Sequence, residues 1–207
     1  MAETYTTIAR VADIEFVERK SVFYGYAAPV KTEEEAQALI KERRTLMPDA
    51  THHVFGYHMK GGVLARYSDD GEPQGTAGMP VLEAIRKSGA DDVLVVVTRY
   101  VGGILLGAGG LVRAYAHTAH LALEAAEIVT YESYAELQIA CSYSDYQKYL
   151  SQLPRFGAVM DDTDFADRVT LRFAVKKHLT DDVRTLVREI SSGNDTLVVR
   201  GERFDYR

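Results

Sequence analysis

The feature that most constrains this chain is an uninterrupted aliphatic, mostly β-branched run, Val93–Val97, near the middle of its 207 residues. Such a run is typical of a strand that is buried on both of its faces. Five glycines follow between Gly102 and Gly110, and a helical pattern then runs from near Leu111 to near Ala126. The backbone of a glycine-rich loop can approach a ligand closely, and the first turn of a helix offers unpaired N–H groups. The segment therefore predicts a buried strand that leads into an anion-binding helix N-terminus.

Residues 1–130 are predicted to form one α/β domain around this strand. Thr32, with Glu35 three residues later, has the pattern of a capping box and predicts the start of a helix. The other predicted elements are extended chain over residues 8–30, strands over His53–His58 and Val63–Tyr67, and a helix over Thr76–Gly89. The resulting order, β-β-α-β-β-α-β-α, predicts a two-layer domain with its helices on one face of the sheet.

Residues 131–207 predict a second domain, and the boundary is expected near Ile128–Tyr134. Alternating apolar residues and helical spacing in this part indicate the order β-α-β-β-α-β, which is the ferredoxin-like arrangement. Its two helices are predicted to be capped by Ser144 and Thr180, and the first helix to end at Pro154. The predicted class is therefore α+β, with two domains in one chain.

The charge balance argues against indiscriminate binding to nucleic acid. The net charge is −6, and neither side of Ile128 is basic: 13 Lys and Arg stand against 17 Asp and Glu up to this residue, and 11 against 13 after it. Any nucleic-acid surface must therefore be a local patch. One cysteine and no apolar run near the ~20 residues of a membrane helix predict a cytoplasmic protein without a membrane partner. No cofactor and no particular oligomeric state are predicted.

The glycine segment does not fit the two commonest nucleotide-binding loops. Ala108-Gly109 stands where a P-loop has Lys followed by Ser or Thr, and no dinucleotide fingerprint fits Gly107–Gly110. The alternative to an anion site is that these glycines allow a strand and a helix to pack closely. Both interpretations remain open at the level of sequence.

A second motif, the loop from Ser68 to Gly78, contains three carboxylates: Asp69, Asp70 and Glu72. Oxygen ligands of this kind can bind a divalent cation, but their spacing does not match the helix-loop-helix calcium loop. The same side chains can cap turns, or form an ion pair with Arg99 or Arg113 that would hold the two loops together. Metal binding is the less favoured of these interpretations.

Arg113, His117 and His120 fall on one stripe of the predicted third helix. Two histidines at this spacing can begin a zinc site if His52 or His53 supplies a third ligand. A polar, partly exposed helix face is the favoured interpretation. Cys141 lies on the core face of a predicted strand and is expected to be inert.

Two stretches carry a resemblance to a known family: YSDDGEPQGTAG over residues 67–78 and VVVTRYVGGILLGAGGLVRAY over residues 95–115. They resemble the signature of the YigZ/IMPACT family, and the remainder is similar to its bacterial branch, so the resemblance covers essentially the whole chain. Two positions depart from the family pattern. Val22 stands where a basic residue is usual, and Val101 stands where an aromatic residue is frequent.

The resemblance implies a fold and a field of function. It implies that the first domain shares the fold of a small-subunit ribosomal protein, of the fourth domain of elongation factor G and of the GHMP kinases, with a left-handed βαβ crossover. It implies that the second domain is similar to the fifth domain of elongation factor G. It also implies translational control, which eukaryotic relatives exert through a kinase-activating partner, and RNA, the ribosome or a protein as partner.

These observations together favour a non-enzymatic protein that binds a polyanion near the glycine segment. The predicted anion-binding residues are Arg99, Tyr100, Gly102, Gly103, Gly107, Gly109, Gly110 and Arg113. The loop predicted to complete the surface contributes Ser68, Asp69, Asp70, Gly71, Glu72, Thr76 and Gly78. In this hypothesis Tyr100 stacks on a base and the loop N–H groups bind phosphate.

Two alternatives remain open. In the first, the chain is an enzyme that acts on a nucleotide or another phosphorylated small molecule, by analogy with the GHMP kinases. Asp69, Asp70 or Glu72 would then hold Mg²⁺, while Arg99 and Arg113 would bind phosphate. In the second, the same residues form a docking face for another protein.

Overall fold

The computed structural model describes residues 4–206. The chain divides into two compact units: one is Thr6–Val129, and the other holds the described residues outside this range. Each unit has its own antiparallel sheet. Among residues 4–206, no helix has both the length and the apolar character that crossing a membrane would require.

The helices and strands follow in chain order. In the first part they are β1 (Tyr5–Ile8), β2 (Ala12–Glu18), β3 (Ser21–Pro29), α1 (Glu33–Leu46), β4 (His52–Met59), β5 (Leu64–Ser68), α2 (Gly78–Ser88), β6 (Val93–Tyr100) and α3 (Gly107–Ala125). They continue with β7 (Ile128–Cys141), α4 (Tyr143–Gln152), β8 (Val159–Phe165), β9 (Val169–Lys176), α5 (Thr180–Ser191) and β10 (Leu197–Asp205). The elements predicted for the first part of the chain are therefore present, with β1 as an additional short strand.

Strand β6 lies at the centre of the first sheet, whose order is β2-β3-β6-β4-β5. Its residues Val93–Val97 have no exposed surface, which confirms the prediction of a strand buried on both faces. Val93, Val95 and Val97 pack with α2 and α3, whereas Leu94 and Val96 pack with α1. The prediction that the helices share one face is therefore wrong. A central strand without a polar face needs a covering layer on each side, and α1 supplies the second one.

Helix α1 begins as its capping box predicts. Thr32 Oγ1 accepts a hydrogen bond from the Glu35 N–H at 3.2 Å, and the Glu35 carboxylate accepts one from the Lys31 N–H at 2.7 Å. Ala36 and Ile40 are the buried residues of this helix, and both join the core that lies under α1. The cap and the apolar stripe together place α1 on its face of the sheet.

Helix α3 begins at Gly107, four residues before the predicted start at Leu111. Its first turn, Gly107–Gly110, has no large apolar side chain that could mark a buried face. The periodic pattern therefore becomes visible only at Leu111, which is the first buried residue of the helix. Several of the predicted loop glycines consequently lie in the helix itself.

The second unit has the predicted ferredoxin-like order β7-α4-β8-β9-α5-β10, with the sheet order β10-β7-β9-β8. Its core is formed by alternate residues of β7 and β9, which pack against α4 and α5. Two capping predictions are wrong. Ser142, not Ser144, caps α4, and the Thr180 hydroxyl donates to the carbonyl of Lys177 instead of capping α5.

The layer formed by α1 leads to a test of the fold. Replacing Ile40, which is 4% exposed, by alanine is expected to lower the free energy of unfolding by about 2–5 kcal/mol because it leaves a cavity. Replacing the exposed neighbour Lys41 by alanine is expected to change it by less than about 0.5 kcal/mol. Urea denaturation measures both values. Equal, small effects would contradict the placement of α1.

Candidate functional site

A buried ion pair between Glu72 and Arg99 joins the two sequence motifs. The side chains are 4% and 6% exposed, and Arg99 Nη1 donates to Glu72 Oε1 at 2.5 Å. The hydroxyl of Tyr115, on α3, donates to the same carboxylate oxygen at 2.6 Å. Of the two arginines proposed as partners of the acidic loop, the structure therefore selects Arg99 and not Arg113.

Aromatic rings surround this pair. The guanidinium carbon of Arg99 lies 5.5 Å from the centre of the Phe23 ring, and the Tyr115 ring meets Phe23 edge-on at 5.3 Å. Burial, reinforced by the neighbouring Glu72 carboxylate, raises the pKa of Tyr115 far above its ordinary value. Tyr115 therefore remains a hydrogen-bond donor to Glu72 at any physiological pH.

Ser21 connects the ion pair to the glycine loop. Its Oγ accepts from Arg99 Nη2 at 3.1 Å and from the Gly102 N–H at 3.2 Å. A Cβ on Gly102 would overlap the carbonyl oxygen of Lys20, so only glycine allows this approach. The loop after β6 is thus attached to the turn between β2 and β3. Neither Ser21 nor this turn is predicted from the sequence as part of the site, because the contact depends on the pairing of β3 with β6.

Asp69 has a structural role at the N-terminus of α2. Its carboxylate accepts hydrogen bonds from the N–H groups of Gly75, Ala77 and Gly78 at 2.9, 3.2 and 2.8 Å. Gly78 also passes so close to Ser68 that a Cβ would lie 2.6 Å from its carbonyl. Both carboxylate oxygens of Asp69 are therefore occupied by backbone donors.

Asp70 is engaged in a similar way. Arg44 Nη2 donates to one carboxylate oxygen at 2.7 Å, and the His53 N–H donates to the other at 2.6 Å. Burial alone would raise the pKa of Asp70, but the hydrogen bonds from Arg44 and the His53 backbone outweigh it and lower the pKa. The Asp70 N–H donates to Ser68 Oγ, and the Asp70 carbonyl lies 2.8 Å from His52 Nδ1.

The rest of the acidic loop is also held by internal contacts. The Thr76 hydroxyl donates to the carbonyl of Pro73 at 2.6 Å. Gly71 has a positive φ of 89° in the turn beside His52. Glu72 Oε2 lies 3.7 Å from His52 Nε2. The loop Ser68–Gly78 thus joins the glycine loop as predicted, but through Glu72 and its buried partner.

The structure separates two residues that the predicted patch had placed together. Arg99 points to the α2/α3 side of β6 and is buried, while its neighbour Tyr100 points to the opposite side of the sheet. There the Tyr100 ring meets Tyr24 edge-on at 6.0 Å. Successive residues of a strand face opposite ways, so Arg99 and Tyr100 cannot share one surface. The predicted exposed patch of Arg99, Tyr100 and Arg113 is therefore not formed.

What remains on the surface is a different set of residues, which we call the loop surface: Arg19, Lys20, Val101, Ile104, Leu105 and Arg113. Arg19 Nη1 donates to the carbonyl of Leu105 at 3.2 Å. A pocket of about 100 Å³ is lined by Glu18, Arg19, Leu106, Gly110 and Arg113. Gly103 and Gly107 adopt positive φ angles of 79° and 73° on either side of the exposed loop residues. The sequence signal for Arg19 and Lys20 is weak, because two cations in a turn are common.

Arg113 lies over the first turn of α3. Its Nη1 atom is 3.4 Å from the position that a Cβ of Gly109 would occupy. Long helical side chains point back towards the N-terminus of their helix, which accounts for this direction. Across the described part of the chain, no ion pair or hydrogen bond engages the Arg113 guanidinium, and no side chain caps the start of α3. Exposed cationic charge and helix N–H groups therefore coincide here.

The histidine stripe on α3 serves other contacts. His117 meets the Phe16 ring edge-on at 4.8 Å, and His120 lies 3.4 Å from Glu124 on the exposed helix face. Between residues 4 and 206, no three His, Cys, Asp or Glu side chains are grouped as a metal site would require. Cys141 is buried, and burial raises the pKa of its thiol to about 11, which makes it a poor nucleophile.

The fold and the joined loops define an α+β protein with a ferredoxin-like second unit, and comparison with known families agrees. The family model described as the Impact N-terminal domain matches residues 19–123, which include the whole loop surface. A domain of unknown function (DUF1949) matches residues 139–194. The chain belongs to the IMPACT family.

Individual relatives cover most of the chain. The IMPACT family member YvyE of Bacillus subtilis is 30% identical over 198 residues, which are 95% of this chain and 91% of the relative. The family member YigZ of Escherichia coli is 35% identical over 161 residues, 76% and 78% of the two chains. A crystal structure of a hypothetical protein matches with a TM-score of 0.60 and 29% identity, and covers 97% of this chain and 99% of its own.

The buried pair leads to a prediction of stability. Replacing Glu72 by glutamine is expected to lower the free energy of unfolding by about 3–5 kcal/mol, because Arg99 is left charged and buried. Replacing both Glu72 and Arg99 by methionine is expected to cost less than the single changes Glu72→Met and Arg99→Met added together. Denaturant titration measures the cycle. Glu83→Gln, which breaks the exposed pair with Arg86, is the matched control and is expected to change stability by less than about 1 kcal/mol.

Asp70 leads to a prediction of pH dependence. Its folded-state pKa is lowered, so the stability that its carboxylate contributes is present above the unfolded value of 3.8 and is lost as pH falls through the folded pKa. The difference in unfolding free energy between wild type and Asp70→Asn is expected to be largest near neutral pH and to shrink below pH 3.8. Denaturation at a series of pH values measures it. A difference that stayed constant down to the lowest pH would show that Asp70 has no such role.

Proposed function

We propose that this chain is a non-enzymatic, translation-associated regulator that binds an anionic partner through the loop surface. Membership of the IMPACT family supports the field of function, since the family resemblance implies translational control. The family match includes every residue of the loop surface. Translation takes place in the cytoplasm, so the proposal retains the cytoplasmic location predicted from the sequence.

The proposal of an anionic partner rests on the exposed guanidinium of Arg113. Its guanidinium is exposed and engages no carboxylate in the part of the chain that the structure describes, while it lies over the uncapped first turn of α3. Arg19, in the turn between β2 and β3, lines the same small pocket. An anion placed there would receive charge-assisted hydrogen bonds from both arginines and the favourable end of the helix dipole. RNA, the ribosome and acidic proteins all present such groups.

The charge of the chain sets the strength of this interaction. With a net charge of −6 and Glu18 beside the pocket, attraction over long distances is weak, and binding depends on the local cations. We therefore expect modest affinity that falls steeply as salt is added, because exposed charges are screened within about 10 Å at ordinary ionic strength.

The contacts of the acidic loop favour binding over the enzymatic alternative. The carboxylates of Asp69 and Asp70 accept hydrogen bonds from backbone groups and Arg44, and Glu72 accepts from Arg99 and Tyr115. The groups proposed to hold Mg²⁺ are thus engaged in maintaining the fold. Of the two arginines proposed to bind phosphate, only Arg113 remains at the surface.

The binding surface is tested by removing one charge at a time. Arg113→Gln is expected to weaken binding to single-stranded poly(U) RNA or to polyglutamate by about tenfold, a value typical of one charge-assisted contact. Arg86→Gln removes the same charge from another exposed position of the unit and is the matched control. Fluorescence anisotropy at several salt concentrations measures both variants. Equal effects of the two variants, or an affinity insensitive to salt, would refute an anion site at Arg113.

A further inference from the structure

The loop that follows β6 exposes large aliphatic side chains beside its cations. Leu105 is 88% exposed, Val101 is 47% exposed and Ile104 is 41% exposed, all within one short loop. Single exposed aliphatic residues are common on protein surfaces, but several in one loop indicate an interaction site. A site that recognised only phosphate would gain nothing from them.

The turn between β2 and β3 supplies cations to the edge of this loop. Arg19 and Lys20 are the two central residues of a two-residue turn, and both are exposed. Arg19 binds the carbonyl of Leu105, and the backbone of Lys20 packs against Gly102. Arg113 reaches the same area through the pocket that it shares with Arg19. The loop that carries Ile104 and Leu105 is therefore in contact with the turn that carries Arg19 and Lys20, and Arg113 shares a pocket with Arg19.

The turn itself is conformationally costly. Arg19 and Lys20 have φ angles of 46° and 65°, in the left-handed region where a two-residue hairpin turn prefers Asn and Gly. The side chains of these two residues make few contacts that could stabilise the fold. Arg19 is 4.0 Å from Glu18 in an exposed pair, and no ion pair engages Lys20 among the residues described. Strained backbone of this kind is found preferentially at functional sites.

We propose that the loop surface binds an acidic protein segment that carries at least two large apolar side chains. Its carboxylates would meet Arg19, Lys20 and Arg113, and its apolar side chains would pack on Ile104 and Leu105. This inference rests on the proposed function, because it names the class of partner that the same surface takes.

The composition of the surface favours protein over RNA. Proteins that bind single-stranded nucleic acid stack its bases on aromatic side chains. The loop surface has none, since Tyr100 faces the other side of the sheet with Tyr24. Aliphatic side chains next to cations instead complement an amphipathic segment of Leu or Phe with Glu or Asp.

The test uses the full chain with three soluble probes and, in a separate sedimentation assay, anionic phospholipid vesicles. The probes are a synthetic amphipathic peptide of Glu, Asp, Leu and Phe, the same peptide with Ser in place of Leu and Phe, and single-stranded poly(U) RNA. Fluorescence anisotropy measures the affinity of each at low and moderate salt. The first peptide is expected to bind at least tenfold more tightly than the second, about the effect of burying one large aliphatic side chain.

Two variants assign the effect to the surface. The double change Ile104→Ser and Leu105→Ser is expected to weaken binding of the amphipathic peptide by about tenfold or more. It is expected to leave binding of the serine peptide unchanged. The double change Arg19→Asn and Lys20→Gly is expected to weaken binding of both peptides, because it removes two cations. It is also expected to raise the denaturation midpoint, because it installs the preferred turn residues. A loss of binding with a gain of stability cannot result from misfolding.

The outcomes separate this inference from the proposed function. If the serine changes do not affect the amphipathic peptide, or if this peptide binds no better than the serine peptide, the inference is overturned. If RNA binds more tightly than the peptide and Arg113→Gln weakens it, RNA is the partner and only the proposed function survives. Binding to anionic phospholipid vesicles that the serine changes abolish, without peptide binding, also overturns it. If no charge variant affects any probe, both proposals fail.

Discussion

The ion pair between Glu72 and Arg99 is the interaction on which the organisation of the candidate site depends. A charge that is almost fully buried must be paired and hydrogen-bonded, and the site meets this requirement with Tyr115 and Ser21. The acidic loop after β5, the end of β6, the start of β3 and helix α3 are all fixed to one buried point, so the glycine loop leaves the sheet in a defined direction.

That arrangement divides the charged residues into two groups with different roles. Asp69, Asp70 and Glu72 stabilise the fold through backbone, Arg44 and Arg99 contacts. Arg113, Arg19 and Lys20 remain exposed beside aliphatic loop residues. The carboxylates of this motif are therefore engaged in contacts within the fold.

Some features of the fold are predicted correctly by local sequence patterns, and others are not. The β-branched run of β6, the cap of α1 and the β-α-β-β-α-β order of the second unit follow from local patterns, and the structure confirms them. The prediction that the three helices lie on one face of the sheet was wrong, although the run Val93–Val97 itself required a layer on each side. The early start of α3 was missed because Gly107–Gly110 have no side chains that report a buried face.

The sequence by itself determined most of the elements, the central buried strand and the family, because periodicity, caps and motifs are properties of neighbouring residues. Only the tertiary structure decided which arginine meets Glu72, that Arg99 faces α2 and α3, and that Arg19 touches Leu105. These contacts join residues 27 positions apart for Glu72 and Arg99, and 86 apart for Arg19 and Leu105. The contact of Arg19 with Leu105 results from the antiparallel pairing of β3 with β6, and that of Glu72 with Arg99 from the pairing of β4 with both β5 and β6. No local pattern encodes these registers.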